Sequence, residues 1–135
     1  MRMRRSLAGL GTGVAIAASL FITAPSAHAA SCYGSGCYGL DPVAAGCNAD
    51  ATTAGHVSTA EGYVELRYSN TCGANWARIS SSSAGTWFYV QDCYQDETET
   101  YNVPSGYTSG WTNMVDGHGT VAARAGDAGG NTGCI

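Results

Sequence analysis

Apolar and polar residues alternate with a period of two along much of the chain beyond residue 60. In 63–68, Val64, Leu66 and Tyr68 fall to one side and Glu65 and Arg67 to the other, the mark of a half-buried strand. Trp76-Ala77-Arg78-Ile79-Ser80 repeats the pattern after the turn-rich stretch 69–75, so the two runs predict a hairpin. A second turn at 81–85 leads into Thr86-Trp87-Phe88-Tyr89-Val90-Gln91, an aromatic run typical of a buried strand. Residues 98–103 alternate again and stop at Pro104-Ser105-Gly106. The runs 111–115 and 120–123 flank Asp116-Gly117-His118-Gly119, and Asp-Gly between strand-like runs predicts another hairpin. Helical signal is confined to 41–46, where Asp41 is a cap, Pro42 occupies the first helical position and Gly46 stops the turn. The prediction is a mainly β fold: a small disulfide-stapled β-sandwich or barrel with a glycine- and cysteine-rich N-terminal loop.

The first thirty residues follow another pattern. Arg2, Arg4 and Arg5 precede an apolar run from Leu7 to Ile22, and Ala27-His28-Ala29 follows with small residues where a signal peptidase requires them. The run contains Gly9, Gly11 and Gly13 and falls short of the ~20 strongly apolar residues of a membrane span. The expected organisation is a signal peptide over 1–30 and a single secreted domain over 31–135, extracellular and with no membrane span after cleavage. Arg4-Arg5 is a weak twin-arginine match and Ala29-Ala30-Ser31-Cys32 a weak lipobox. Removing the leader changes the charge, because residues 31–135 retain Arg67, Arg78 and Arg124 against 10 carboxylates, a formal net charge of −7. The chain has no lysine. Such a body repels phosphate backbones, so nucleic acid is excluded as a partner.

Six cysteines, Cys32, Cys37, Cys47, Cys72, Cys93 and Cys134, form an even set in an exported domain, the usual context of a disulfide framework. Sequence leaves about fifteen pairings open for six cysteines. Proximity along the chain favours Cys32 with Cys37, Cys47 with Cys72, and Cys93 with Cys134. The spacings lack the paired CxxC of zinc ribbons and fingers, so no metal is expected on them.

Candidate chemistry is sparse. Trp76 and Arg78 share a strand face, and Glu65 and Arg67 join it across the predicted hairpin. The four compose either a recognition surface, with guanidinium forks and an indole, or an internal ladder of opposite charges; the ladder is the favoured expectation. Asp92, Asp96, Glu97 and Glu99 crowd the loop around Cys93. Such oxygen density can hold calcium, but it lacks the spacing of an EF-hand loop, and a solvated acidic turn is expected. His56 and His118 belong to no metal-spaced pair, and His118, between two glycines, is expected to be exposed. No cofactor, metal site or catalytic residue is predicted.

The segment Cys32-Tyr33-Gly34-Ser35-Gly36-Cys37-Tyr38-Gly39-Leu40-Asp41-Pro42, followed by Gly46-Cys47, Asp50-Ala51-Thr52, Val64-Glu65-Leu66-Arg67-Tyr68-Ser69, Cys72 and Trp76-Ala77-Arg78, is similar to the YjfA-like domain-of-unknown-function family of exported Gram-positive bacterial proteins. The resemblance spans most of 31–135. It implies a secreted single domain or the extracellular end of a membrane-anchored regulator, and it carries no established activity. It also implies that the first four cysteines form one structural unit, with Cys93 and Cys134 an added pair. The function expected is a non-catalytic binding or interaction module whose partner is an extracellular protein or a cell-wall component. The alternatives are a carboxylate-dependent envelope hydrolase using acids such as Glu65, Asp92 or Asp96, and a protease inhibitor presenting the loop 69–75.

Overall fold

A computed structural model describes residues 29–135, so nearly all of the expected signal peptide lies outside the described residues. Nine strands follow two short 3₁₀ turns, Gly34–Cys37 and Cys47–Asp50: β1 (Thr52–Thr59), β2 (Gly62–Ser69), β3 (Ala74–Ser80), β4 (Trp87–Asp92), β5 (Thr98–Asn102), β6 (Gly110–Trp111), β7 (Val115–Asp116), β8 (Ala123–Asp127) and β9 (Gly130–Asn131). They form two antiparallel sheets. One has the order β1-β2-β3-β6 with β7 also on β3, and the other has the order β5-β4-β8-β9. The mainly β, disulfide-stapled prediction holds, in its two-sheet form.

The hairpin of β2 and β3 forms in the register that the alternation demands. Val64 faces Ile79 and Leu66 faces Ala77, while Glu65 faces Arg78 and Arg67 faces Trp76. The first set packs with Phe88 and Val90 of β4, Ala123 and Ala125 of β8, Val103 and Val115 in one buried core. Trp76 points the other way, as period two requires. It is buried in a second cluster with Cys37, Ala45, Cys47, Cys72, Ala74 and Met114. The N-terminal segment is thus a third layer on the outer face of the first sheet.

All three predicted disulfides are present: Cys32–Cys37, Cys47–Cys72 and Cys93–Cys134. Cys32, the residue of the weak lipobox, is committed to a bridge. Backbone bonds lace the stapled layer to the sheet, from Gly39 N–H to the Met114 carbonyl and from Met114 N–H to the Leu40 carbonyl. The turn at 41–46 forms as expected. Asp41 Oδ1 accepts from the amides of Val43 at 2.7 Å and Ala44 at 3.1 Å, and Gly46 takes a left-handed φ of 77°.

Two expectations fail. The 116–119 hairpin does not exist, because the run 111–115 splits into β6 and β7 on the first sheet while β8 pairs with β4 in the second. Asp-Gly here turns the chain from one sheet to the other. The second failure is β1, where no strand was predicted. Only Val57 of β1 packs on the core, and the strand is otherwise threonine, serine, histidine and small residues paired along β2, with a register shift between Thr53 and Gly55.

Candidate functional site

The four residues predicted to share a face do so. Arg78 Nε donates to Glu65 Oε2 at 2.6 Å, which builds the expected charge ladder. The pair is unequally exposed, with the arginine side chain at 43% and the glutamate at 14%. Arg67 donates to Thr53 Oγ1 at 2.7 Å and to the Ala51 carbonyl at 3.4 Å, so it ties β2 to β1. Burial and the neighbouring Arg78 charge push its guanidinium below its ordinary value, partly offset by Glu65. Trp76 is only 2% exposed, and its indole serves chiefly as the floor under the stapled layer.

Beside this ladder lies an open groove that the sequence did not reveal. Arg78 pairs in register with Trp111 of β6, which extends the row of side chains to the edge of the sheet. Trp111, Tyr101 and Tyr107 line a groove of about 480 Å³ with Asp41, Thr100 and Asn113 among its polar walls. That volume lies within the range of small-molecule sites. All three rings are substantially exposed, Tyr107 most of all. The groove rests on the stapled layer, since Trp111 Nε1–H donates to Asp41 Oδ2 at 3.3 Å. Asp41 therefore caps its own turn with one oxygen and orients the groove's tryptophan with the other. A smaller hollow of about 220 Å³ continues past Trp111 along Trp76, Arg78, Val43 and Asn48. Two of the four predicted residues border this extension, whereas Glu65 and Arg67 line neither hollow. The signal available in the sequence was the cluster of aromatics around the turn 104–110, which pattern reading absorbed into strand ends.

The acidic loop also departs from expectation. Asp96 and Glu97 turn the chain back toward β5, with Asp96 at a φ of 58°, a left-handed conformation that aspartate tolerates. Asp96 is exposed, but Asp92 is completely buried, so the segment is not a solvated acidic turn throughout. Its carboxylate continues the inward row of Phe88 and Val90. Burial and the charges of Asp116 and Asp92 push the Glu97 carboxyl above its ordinary value, against the Asp116 amide that donates to it. Burial and Glu97 raise Glu99 as well. His118 is exposed, as expected, yet its Nδ1 lies 2.6 Å from Asp116 Oδ1. Gly34 allows this approach, because a Cβ there would stand 3.0 Å from His118 Nδ1 and the backbone φ is 58°.

Of the three acids proposed for hydrolysis, Asp96 is exposed and the other two are withdrawn from solvent. Glu65 is held by Arg78, and Asp92 lies in the interior. The turn 69–75 is strapped down by Asp50, which accepts from Ser69 Oγ at 2.5 Å and from the Thr71 amide and hydroxyl, both at 2.8 Å. Only Asn70 and Thr71 of that turn are exposed.

Architecture and site define a three-layer, disulfide-stapled antiparallel β domain carrying an aromatic groove. The chain belongs to the family described as protein of unknown function (DUF2690), whose family model matches residues 35–126. No curated protein and no solved structure matches it significantly. Three disulfides are consistent with an oxidising, extracellular environment.

Proposed function

We propose that this protein is an exported, non-catalytic binding module of the cell envelope and that its ligand is a neutral glycan seated in the Tyr101–Tyr107–Trp111 groove. The exposed aromatic groove carries the reading. Flat rings offer stacking faces to the apolar faces of sugars, and Asp41, Asn113 and Thr100 supply hydrogen-bonding groups for hydroxyls. No arginine lines the main groove, and residues 31–135 have a formal net charge of −7, which disfavours anionic ligands. The pairing of Glu65 with Arg78 and the withdrawal of Asp92 from solvent favour binding over hydrolysis. Export is supported by the leader-like pattern of 1–30 together with the disulfides. The narrower YjfA-like, Gram-positive assignment rests on the motif resemblance.

Sedimentation of the purified protein with insoluble cell-wall glycan tests this reading. The parent is expected to partition with the glycan, and Trp111→Ala or Tyr107→Ala to weaken retention by about tenfold, the effect of losing an aromatic anchor. Absence of retention on wall polysaccharides, or retention unchanged in both variants, overturns it.

A further inference from the structure

Three carboxylates meet where both sheets and the stapled layer come together. Asp92 ends β4 in one sheet, Asp116 ends β7 in the other, and Glu97 lies on the loop between β4 and β5. Carboxylate oxygens of all three lie within 4.8 Å of one another. Asp92 and Asp116 are 0% exposed, while Glu97 is half-buried.

Each carboxylate spends one oxygen on the protein. Asp92 Oδ1 accepts from the amides of Tyr94 at 2.8 Å and Gln95 at 3.1 Å. Asp116 Oδ1 accepts from the His118 amide at 3.1 Å and also meets that residue's ring nitrogen. Glu97 Oε2 accepts from the Asp116 amide at 3.2 Å. The remaining oxygens of the two aspartates, Oδ2 in each, are buried with no hydrogen-bond partner. Leaving such oxygens unanswered is costly, and a cluster of like charges adds to the cost. The three arginines of the described residues are engaged elsewhere: Arg67 on Thr53, Arg78 on Glu65 and Arg124 on Gln91.

We propose that Asp92, Glu97 and Asp116 bind one calcium ion, which ties the two sheets together beside the stapled layer. The donor set is all oxygen and triply acidic, the preference of a hard divalent cation over zinc or copper. His118 acts from behind, holding Asp116 Oδ1 and leaving Oδ2 for the ion. Calcium is preferred to magnesium because it tolerates an irregular oxygen shell, whereas magnesium demands near-ideal octahedral geometry and keeps its waters. The site is independent of the aromatic groove.

The purified, disulfide-bonded protein, stripped with EDTA, is to be unfolded thermally in EDTA, in 10 mM calcium chloride and in 10 mM magnesium chloride. Binding is followed in parallel by calorimetric titration with calcium chloride. At a dissociation constant of about 1 mM, the weak end for extracellular calcium modules, 10 mM calcium is expected to raise Tm by about 6–11 °C, with one ion bound per chain. Magnesium is expected to raise it less. Glu97→Gln, a loop substitution that leaves the buried aspartates in place, is expected to abolish most of the calcium shift without lowering Tm in EDTA. Glu99→Gln, on the same segment but outside the triad, keeps the shift. No calcium-dependent shift and no heat of binding overturn the proposal. A full shift in Glu97→Gln overturns the location, and an equal shift with magnesium overturns the choice of ion.

Discussion

The two faces of the β2–β3 hairpin are finished in different chemistry. Inward, Val64, Leu66, Ala77 and Ile79 meet Phe88 and Val90 in an apolar core that contains no cysteine. Outward, the chain builds a layer from glycines, cysteines and short turns, and its buried cluster is dominated by sulfur and one indole. That layer has too little apolar surface to hold itself in place, and two disulfides and lacing backbone bonds supply what burial does not. The groove sits where the laced layer meets the sheet edge, so the face held by crosslinks is the one that carries the aromatic groove.

The contrast is broken most directly in the core. Phe88→Ala is expected to destabilise the whole domain by about 3–5 kcal/mol, the range for a fully buried aromatic, measured by urea denaturation with a single transition. Replacing Cys47 and Cys72 together by alanine is expected to cost about 3 kcal/mol, given the 25-residue separation that the bridge closes. Its signature differs from that of the core variant. Hydrogen exchange should quicken in 31–50 before it does in β2–β4, and a uniform increase would show that layer and core are one unit. Asp41→Ala removes a cap and a partner of Trp111, for about 1 kcal/mol, and is expected to weaken glycan retention as well. A double-mutant cycle on Arg78→Ala and Glu65→Gln is expected to return a coupling below about 1 kcal/mol, since the arginine is well exposed.

The smallest effect concerns acid. At Asp50, desolvation acts upward but is outweighed by the hydrogen bonds from Ser69 and Thr71, so the carboxyl lies below its ordinary 3.8. A depressed carboxyl contributes stability that is present above pH 3.8 and lost as pH falls through the lower folded value. Denaturation at a series of pH values below 5 should show this loss in the parent and less of it in Asp50→Asn. Equal pH dependence in the two proteins would remove Asp50 from the account.

Much of the fold was legible because period two is unambiguous where large apolar residues mark it. Val64 and Leu66 announce β2, and Phe88 and Val90 announce β4. Thr52–Thr59 carried no such mark, since an edge strand buries little and its pairing comes from the neighbour. The turn 116–119 misled because Asp-Gly was read locally, whereas β7 and β8 each find partners far along the chain. Cysteine pairing followed chain proximity. The acidic triad was half visible: Asp92 and Glu97 stood out among the four acids around Cys93, but Asp116 joins them from a segment 19 residues beyond Glu97. Trp111, likewise, gains its role only by pairing with Arg78.

One further consequence belongs to the sheet margins. An open strand edge is a template on which another molecule can continue the ladder. Here β6, β7 and β9 are only two residues long, β5, the other edge of the second sheet, reads Thr-Glu-Thr-Tyr-Asn, and β1, the longest edge, is interrupted by its register shift at Thr53–Gly55 and carries threonine and histidine in place of an apolar stripe. Among the described residues, the broken and polar margins therefore resist strand-to-strand joining between copies. Such margins favour a domain whose copies stay dispersed at high concentration.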